Sequence, residues 1–258
     1  MKHNSKTLKK RLAGHELVLG SWITMAHPAI AEIMARAGFS WLTVDLEHSV
    51  ISIREAGELI RAIDLCGVSP LVRLSANDSV QIKRVMDAGA HGIIVPMVNS
   101  ADEARQAVSS VRYPPKGQRG VGLARAQGYG SAFEEYIRWL NEEAVVIVQV
   151  EHIKAVENLE GILAVDGVDG FIVGPYDLSG SLGVPGQFDH PQMLEAMQRI
   201  QTIGHASSKA PGLHVIEPDP GQLRQRMDEG YRFIAYSVDI RMLDHECRRG
   251  LTAVKKHK

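Results

Sequence analysis

Residues 86–96 read MDAGAHGIIVP, and this stretch decides the fold. Its first half ends a helical pattern at Gly89, where a left-handed position favours glycine. Its second half is a short apolar run of the kind that forms a buried parallel strand. The same junction recurs at residues 35–39 (ARAGF) and 227–231 (MDEGY). Repeated helix-to-strand junctions are typical of βα units.

Short apolar runs alternate with helical patterns on both sides of this junction. Strands are predicted at Val18–Met25, Trp41–Asp45, Pro70–Leu74, Gly92–Pro96, Ala144–Glu151, Gly170–Val173, Gly212–Val215 and Phe233–Val238. Apolar residues three and four apart predict helices at Ala29–Ala37, Arg54–Leu65, Val80–Ala88, Ala101–Val111, Ile153–Ala164, Pro191–Ile203 and Gln222–Glu229. Asp78, Ser100 and Asp219 are predicted N-caps, and Gly38, Gly67, Gly89 and Gly230 are predicted to end helices.

The alternation predicts an α/β protein, a closed (β/α)8 TIM barrel that takes up residues 1–258 as a single domain. A doubly wound open sheet is the alternative, but it usually carries a Gly-rich first turn, whereas residues 26–28 read AHP. No Pro-, Ser- or Gly-rich linker divides the chain. The Gly-rich stretch at residues 114–132 is predicted to be a lid or a binding loop.

Composition excludes several classes of protein. Of the 258 residues, 45% are hydrophobic and 23% are charged, as in an ordinary globular domain. The net charge of −1 argues against a nucleic-acid partner. No run is long and apolar enough for a membrane span or a secretory signal, so we expect no membrane and a cytoplasmic location. Cys66 and Cys247 are predicted to be reduced thiols, and no Cys-rich spacing suggests structural zinc.

Ionisable residues stand at the carboxyl ends of four predicted strands, where a barrel places its chemistry. Glu151 and Asp177 follow neighbouring strands, and two carboxylates suit Mg²⁺ or Mn²⁺ with positions left open for a chelating substrate. Each carboxylate could instead cap a helix or pair with a lysine. Arg73 could hold a carboxylate or polarise a keto oxygen, or could form a structural ion pair with Asp45 or Glu47.

The spacing of Asp45 and His48 would let the carboxylate orient the imidazole for proton transfer, although Glu47 could be the functional group instead. The seventh and eighth strands end without the glycine pair that would bind phosphate. No strand end carries a lysine that could form a Schiff base. With phosphate binding and Schiff-base chemistry disfavoured, the remaining interpretation is metal-assisted chemistry.

Taken together, these segments resemble the HpcH/HpaI aldolases, the metal-dependent class II pyruvate aldolases. That family includes the 2-keto-3-deoxy sugar-acid and 4-hydroxy-2-oxo-heptanedioate aldolases. The resemblance runs from about Gly20 to Asp239. It is carried by residues 45–48 (DLEH), 72–73 (VR), 77–78 (ND), 95–98 (VPMV), 112–115 (RYPP), 119–122 (RGVG), 149–151 (QVE) and 174–179 (GPYDLS).

The resemblance implies a barrel of the phosphoenolpyruvate/pyruvate type, with a last helix that can swap between neighbours in a homohexamer built from dimers. It implies a carbon–carbon lyase that cleaves a 4-hydroxy-2-oxo acid to pyruvate and an aldehyde through a metal-stabilised enolate. Glu151 and Asp177 would hold the divalent metal, which would be Mg²⁺ or Mn²⁺, with Co²⁺ or Zn²⁺ as alternatives.

The resemblance also assigns roles to single residues. Arg73 would stabilise the enolate oxygen, and His48, oriented by Asp45, would transfer a proton at the aldol hydroxyl. The substrate would contact five further residues, of which Trp22 is equally compatible with a place in the core: Trp22, Arg119, Gln149, Tyr176 and Asp177. Tyr176 stands where many members have a smaller residue, which leaves the aldehyde open.

Two alternatives stay open. One is a lyase of the same superfamily that acts on acyl-CoA esters such as malyl- or citramalyl-CoA, although no basic surface for a nucleotide is evident. The other is a metal-binding homologue that has lost turnover.

Overall fold

Eight parallel strands close into a barrel in this computed structural model, which describes residues 6–255. The strands are β1 (Val18–Ile23), β2 (Trp41–Asp45), β3 (Ser69–Arg73), β4 (Gly92–Val95), β5 (Val145–Val150), β6 (Gly170–Val173), β7 (Ala210–Val215) and β8 (Phe233–Val238). Each strand pairs with the next, and β8 pairs with β1. The predicted (β/α)8 barrel is confirmed; residues 1–5 and 256–258 of the predicted domain lie outside the described residues.

Helices connect the strands on the outside of the barrel. They are α1 (Leu8–Ala13), α2 (Pro28–Arg36), α3 (Ile53–Leu65), α4 (Ser79–Asp87), α5 (Ala101–Val111), α6 (Phe133–Glu142), α7 (Ile153–Glu157), α8 (Leu159–Leu163), α9 (Pro175–Ser181), α10 (Pro191–Ala206), α11 (Pro220–Asp228) and α12 (Asp239–Lys255). A 3₁₀ segment spans Arg125–Gly130. No helix in the described range is long and apolar enough to cross a membrane.

Local side chains set the helix ends as predicted. The side chains of Asp78, Ser100 and Asp219 accept backbone N–H groups in the first turns of α4, α5 and α11. Gly89 and Gly230 follow α4 and α11 with φ of 102° and 93°, which an L side chain adopts only with strain. These short, well-defined connections let each helix lead directly into the next strand.

Two predictions about helices need correction. The single helix predicted at residues 153–164 is two helices, because Asn158 leaves the helical conformation and its side-chain amide donates to the backbone oxygen of Asn99. The prediction also omitted α6, although Tyr136 and Leu140 have helical spacing and are buried. The helices α1, α9 and α12 were omitted in the same way.

Two apolar clusters form the core, one between the strands and the helices and one inside the barrel. Leu8 and Leu12 of α1 belong to the inner cluster and pack against residues near the amino ends of the strands. Because α1 covers that end, only the carboxyl end of the barrel stays open as a mouth.

Inside the barrel, two large rings are accommodated by a small residue. The indole of Trp41 stacks on Phe233 with ring centroids 4.2 Å apart. Gly20 pairs with Trp41 in the sheet, and its missing side chain leaves the space that the indole fills.

Gly20→Ala is expected to destabilise the protein, because the added Cβ would lie 1.9 Å from Cδ2 of Trp41. Overpacking of this kind costs about 1–3 kcal/mol or more. The matched control is Gly161→Ala in α8, where an added Cβ meets no atom within 4 Å. This substitution should stabilise the protein by about 0.5–1 kcal/mol, because alanine favours the helix more than glycine does. Urea unfolding measures both changes, and equal effects would contradict the packing described here.

Candidate active site

Four inward-facing side chains form one layer at the mouth of the barrel. Trp22, Arg73, Gln149 and His214 come from β1, β3, β5 and β7, and alternate strands contribute to one layer in such barrels. The Arg73 guanidinium lies over the indole of Trp22, 4.3 Å from the ring centroid. The ring of His214 lies 5.6 Å from that of Trp22. Trp22 is thus both a core residue and the floor of the mouth.

Arg73 is held by a carboxylate on the neighbouring strand. Its Nε and Nη2 donate to the two oxygens of Asp45 at 2.9 and 2.6 Å, and Nη1 lies 3.4 Å from Oε2 of Glu47. Burial alone would raise the pKa of Asp45, but Arg73 and the backbone N–H groups of residues 47 and 48 hold it below its usual range. The ion pair considered for Arg73 is therefore present, and it fixes the guanidinium at the mouth.

His48 is near this pair, but Asp45 does not orient its ring. Asp45 accepts the backbone N–H of His48 at 3.2 Å, whereas the imidazole is 63% exposed and its Nε2 lies 3.9 Å from Oε2 of Glu47. The predicted contact between Asp45 and the imidazole is wrong in this structure, because Arg73 occupies both carboxylate oxygens. Asp45 instead positions the backbone that carries His48.

Glu151 is a buried carboxylate fixed by its surroundings. Its Oε1 accepts the N–H of Met97 at 2.6 Å, and its Oε2 accepts from the Gln149 amide. Met97 has a left-handed φ of 53°, which is strained for a non-glycine residue. Gly174 lies against the Glu151 carboxylate, and an added Cβ at this glycine would lie 2.9 Å from Oε2 of Glu151. The backbone N–H of Met97 thus holds the Glu151 carboxylate, and Gly174 leaves the space that the carboxylate needs.

Asp177 lies in the first turn of α9, directly after β6, and is exposed. Burial raises the pKa of Glu151, and the charge of Asp177 adds to this. Burial also raises the pKa of Glu47 to about 7, with further contributions from Glu151, Asp45 and Asp177 and an opposing one from Arg73. Glu47, Glu151 and Asp177 therefore form a cluster of mutually repelling carboxylates.

This cluster fits a divalent cation. Carboxylate oxygens are the ligands that Mg²⁺ and Mn²⁺ prefer, and a cation offsets the repulsion that raises these pKa values. The buried Oε1 of Gln149 also lacks a hydrogen-bond partner within the described residues, so the site holds an unused oxygen. No complete cluster of three His, Cys, Asp or Glu ligands occurs between residues 6 and 255, so substrate or water oxygens would have to complete the coordination.

The chain is similar to a family of known enzymes over most of its length. The family described as HpcH/HpaI aldolase/citrate lyase matches residues 19–245. The chain belongs to this family. The resemblance stated from the sequence is therefore confirmed.

Individual members of the family are also similar. The hydroxypyruvate/pyruvate aldolase of Cupriavidus necator is 39% identical over 243 residues, which cover 93% of this chain and 89% of that protein. The 4-hydroxy-2-oxo-heptane-1,7-dioate aldolase of Salmonella typhimurium is 40% identical over 227 residues, 87% of this chain and 85% of that protein. A crystal structure of a family protein from Burkholderia cenocepacia has a TM-score of 0.91 at 36% sequence identity. The match covers 96% of this chain and 98% of that protein's chain.

Arg119, which the resemblance assigned to substrate binding, does not join the group at the mouth. Its guanidinium is buried over the ring of Tyr113 at 4.3 Å, donates to Tyr136, and lies 3.8 Å from Asp87 at the end of α4. That end of α4 leads into the amino end of β4, opposite the mouth. Within one subunit Arg119 thus lies away from the other predicted site residues, and its contact with substrate stays a prediction.

His214 is the residue at the mouth that sequence reasoning missed. Its Nε2 lies 3.2 Å from the backbone oxygen of Ser237. Burial lowers its pKa to about 4, and the charge of Arg73 adds to this, while Ser237 and Asp45 oppose it. The strand alternation could have identified it, because His214 lies two residues after the inward-facing Gly212 on β7 and therefore also faces inward.

His214→Gln is expected to change how stability depends on pH. The folded pKa of about 4 lies below the ordinary 6.5, so wild-type stability falls as pH drops from 6.5 towards 4. At 1.36 kcal/mol per pKa unit, the free energy of unfolding of the wild type falls by roughly 1–2 kcal/mol between pH 7 and pH 5. The variant should not show this fall, because glutamine does not titrate. Urea unfolding at the two pH values measures the difference. His245→Asn, an exposed control, should behave as wild type; an unchanged pH dependence in His214→Gln would show that His214 is not held neutral.

Proposed function

We propose that this aldolase-family protein is a carbon–carbon lyase that cleaves a 4-hydroxy-2-oxo acid into pyruvate and an aldehyde, and also runs in reverse. One observation supports this above the others: two carboxylates suited to a divalent cation, Glu151 and Asp177, stand beside a guanidinium fixed by Asp45. In this proposal the chain works as one barrel domain in the cytoplasm, and its free thiols, Cys66 and Cys247, suit a reducing compartment.

Glu151 and Asp177 would hold Mg²⁺ or Mn²⁺, with Co²⁺ or Zn²⁺ as alternatives. When bound, the cation supplies Lewis-acid chemistry at the keto group of the substrate. Gln149 keeps Glu151 in place through its amide, and its free Oε1 points to a contact with bound water or substrate. Met97 and Gly174 keep the carboxylate in the same position throughout.

Arg73 stabilises the negative charge that develops on the keto oxygen. The C4 hydroxyl loses its proton, the C3–C4 bond breaks, and its electron pair moves towards C2 and the keto oxygen. A guanidinium already oriented by Asp45 and Trp22 meets this charge without reorganisation. Asp45 and Trp22 are thus positioning residues for Arg73.

His48 takes up the hydroxyl proton through a water and returns a proton to C3 of the enolate. Its exposed ring, near Glu47 rather than Asp45, leaves it open to solvent and substrate. Tyr176 lies at the rim of the mouth, where its ring meets Phe188 edge-on at 4.9 Å. Both rings face the side on which the aldehyde product would leave.

We also propose a homohexamer built from dimers, in which α12 of one copy packs on a second copy. Ile240, Leu243, Leu251 and Val254 lie on one face of α12, and each is about half exposed or more. On the barrel side, α11 contains no buried residue. Both features suit surfaces that a second copy covers.

Glu151→Gln and Asp177→Asn are expected to lose Mn²⁺ binding and to reduce pyruvate release by at least a hundredfold. Each removes a charged oxygen ligand while keeping the side-chain shape. Equilibrium dialysis with Mn²⁺ and a retro-aldol panel of hydroxy-oxo acids measure the two effects. Asp166→Asn, an exposed carboxylate near the amino end of β6, is the matched control and should bind and react normally.

The alternatives give other results in the same assays. Full activity in metal-free buffer with EDTA would overturn the mechanism. Cleavage of malyl- or citramalyl-CoA in preference to free acids would indicate the CoA lyase. Failure of the wild-type protein to exchange the methyl protons of pyruvate in D₂O with Mg²⁺ or Mn²⁺ would indicate a homologue without turnover.

Leu243→Glu combined with Leu251→Glu should reduce the oligomer to smaller species, because two charges would enter the proposed apolar contact. Light scattering measures the mass. Thr252→Glu, on the opposite side of α12, should leave the mass of the wild type unchanged. A wild-type monomer would count against the proposed assembly.

A further inference from the structure

The carboxyl end of β1 carries Trp22, and the regular sheet ends at this residue and the next. The ladder between β1 and β8 shifts register after Gly20 and ends with the pair of Trp22 and Val238. On the other side, β1 pairs with β2 as far as Ile23. Because the guanidinium of Arg73 lies over the indole at 4.3 Å from the ring centroid, whatever holds this end of β1 also affects Arg73.

The register shift is a β-bulge in β8. Residues 236 and 237 of β8 lie opposite the single residue Ser21 of β1. Ser237 has a left-handed φ of 54°, which is strained for a non-glycine residue. Its backbone oxygen accepts from the Ser21 hydroxyl at 3.1 Å and lies 3.2 Å from Nε2 of His214. Bulges often lie beside active sites, where they redirect a side chain, and this one precedes Asp239 by one residue.

Asp239 follows the bulge and bonds to the end of β1. Its Oδ2 accepts the backbone N–H groups of Thr24 and Met25, both at 2.9 Å. Its Oδ1 accepts the hydroxyl of Thr24 at 2.7 Å and the N–H of Ile240 at 2.8 Å. This carboxylate is 4% exposed. It thus joins the residues that follow Trp22 to the first turn of α12.

A helix cap explains only part of this arrangement. Asp239 is the first residue of α12, where an acidic side chain is favoured by the helix dipole. One of the four bonds, to Ile240, is with α12 itself, whereas the other three are with Thr24 and Met25. Hydrogen bonds to an ionised group are stronger than those between neutral groups. The carboxylate therefore ties β1 to the barrel where the ladder to β8 ends.

We infer that Asp239 is a positioning residue that holds Trp22 against Arg73 in the proposed reaction. The inference rests on the proposed aldolase function and places no contact between Asp239 and the substrate. Its effect comes through Trp22, because a guanidinium that is already oriented stabilises the charge developing on the keto oxygen without reorganisation.

Asp239→Asn tests this role, because it keeps the shape of the side chain and replaces one accepting oxygen with an NH₂ group. The hydroxy-oxo acid that the wild type cleaves fastest serves as substrate. We expect kcat to fall about tenfold, as for the loss of a hydrogen bond to a charged group. Mn²⁺ affinity should stay within about twofold of wild type, because Glu151 and Asp177 lie on other elements. Asp228→Asn, an exposed carboxylate at the end of α11, is the matched control and should leave both quantities unchanged.

A double-mutant cycle with Trp22→Phe separates positioning from general destabilisation. If Asp239 acts through Trp22, Asp239→Asn should lower kcat by less than about twofold in the Trp22→Phe background. A purely structural role would give the same fold-change in both backgrounds. Equal falls, or an unchanged kcat in Asp239→Asn alone, would overturn the inference and leave the aldolase function intact.

Thr24→Val covers the case in which Asp239→Asn does not fold, which urea unfolding would show. It removes the hydroxyl bond and keeps both backbone bonds to Asp239. We expect kcat to fall about two- to fivefold when Trp22 is present, and less in the Trp22→Phe background. Equal falls in the two backgrounds, or no fall, would again contradict the positioning role. A wild-type protein that cleaves none of the hydroxy-oxo acids would overturn the proposed function itself.

Discussion

Closure of the barrel limits each interior layer to about four side chains, and the rest of the structure depends on this limit. Trp41 and Phe233 fill one layer with two stacked rings. The other two positions of that layer are Gly92 and Gly170, and an added Cβ at either would collide with backbone within 3 Å. Two large rings on one side of this layer are therefore balanced by two glycines on the other side. The same limit means that a larger side chain at one position of a layer needs a smaller one at another position of the same layer.

At the mouth of the barrel several charged side chains lie together, and the electrostatics there differ from those of the whole chain. Arg73 contributes one positive charge, while Asp45, Glu47, Glu151 and Asp177 contribute four negative ones when ionised, a balance of −3. The whole chain has a charge of −1. The net charge argues against a polyanionic partner but says nothing about a small ketoacid or a cation. Burial raises the pKa of both Glu47 and Asp45, but the two hydrogen bonds from Arg73 to Asp45 outweigh it there, so only the pKa of Glu47 rises.

The sequence predicted the barrel because strands buried on both faces carry a strong local pattern, as in residues 145–148. The sequence also predicted which strand ends lie together, because the carboxyl ends of parallel strands lie at the same end of the barrel. It did not predict which contacts form there. Asp45 lies within reach of both His48 and Arg73, and only the register between β2 and β3, which pairs Asp45 with Arg73, decides between them. Arg119 shows the opposite case: a motif suggested a role, but the turn after α5 carries the side chain to the far end of the barrel.

The charged residues at the mouth are grouped on a few neighbouring strands. The groups that handle charge come from β2, β3, β5 and the start of α9, and each is fixed by a partner: Arg73 by Asp45, and Glu151 by Met97 and Gln149. Tyr176 and Phe188 lie on another side, where they contact each other edge-on and line a cavity of about 540 Å³. Residues on that side can change without disturbing the fixed charges. Because Tyr176 lines the cavity and is next to Asp177, a substitution at Tyr176 is expected to change the shape of the cavity while the carboxylates keep their positions.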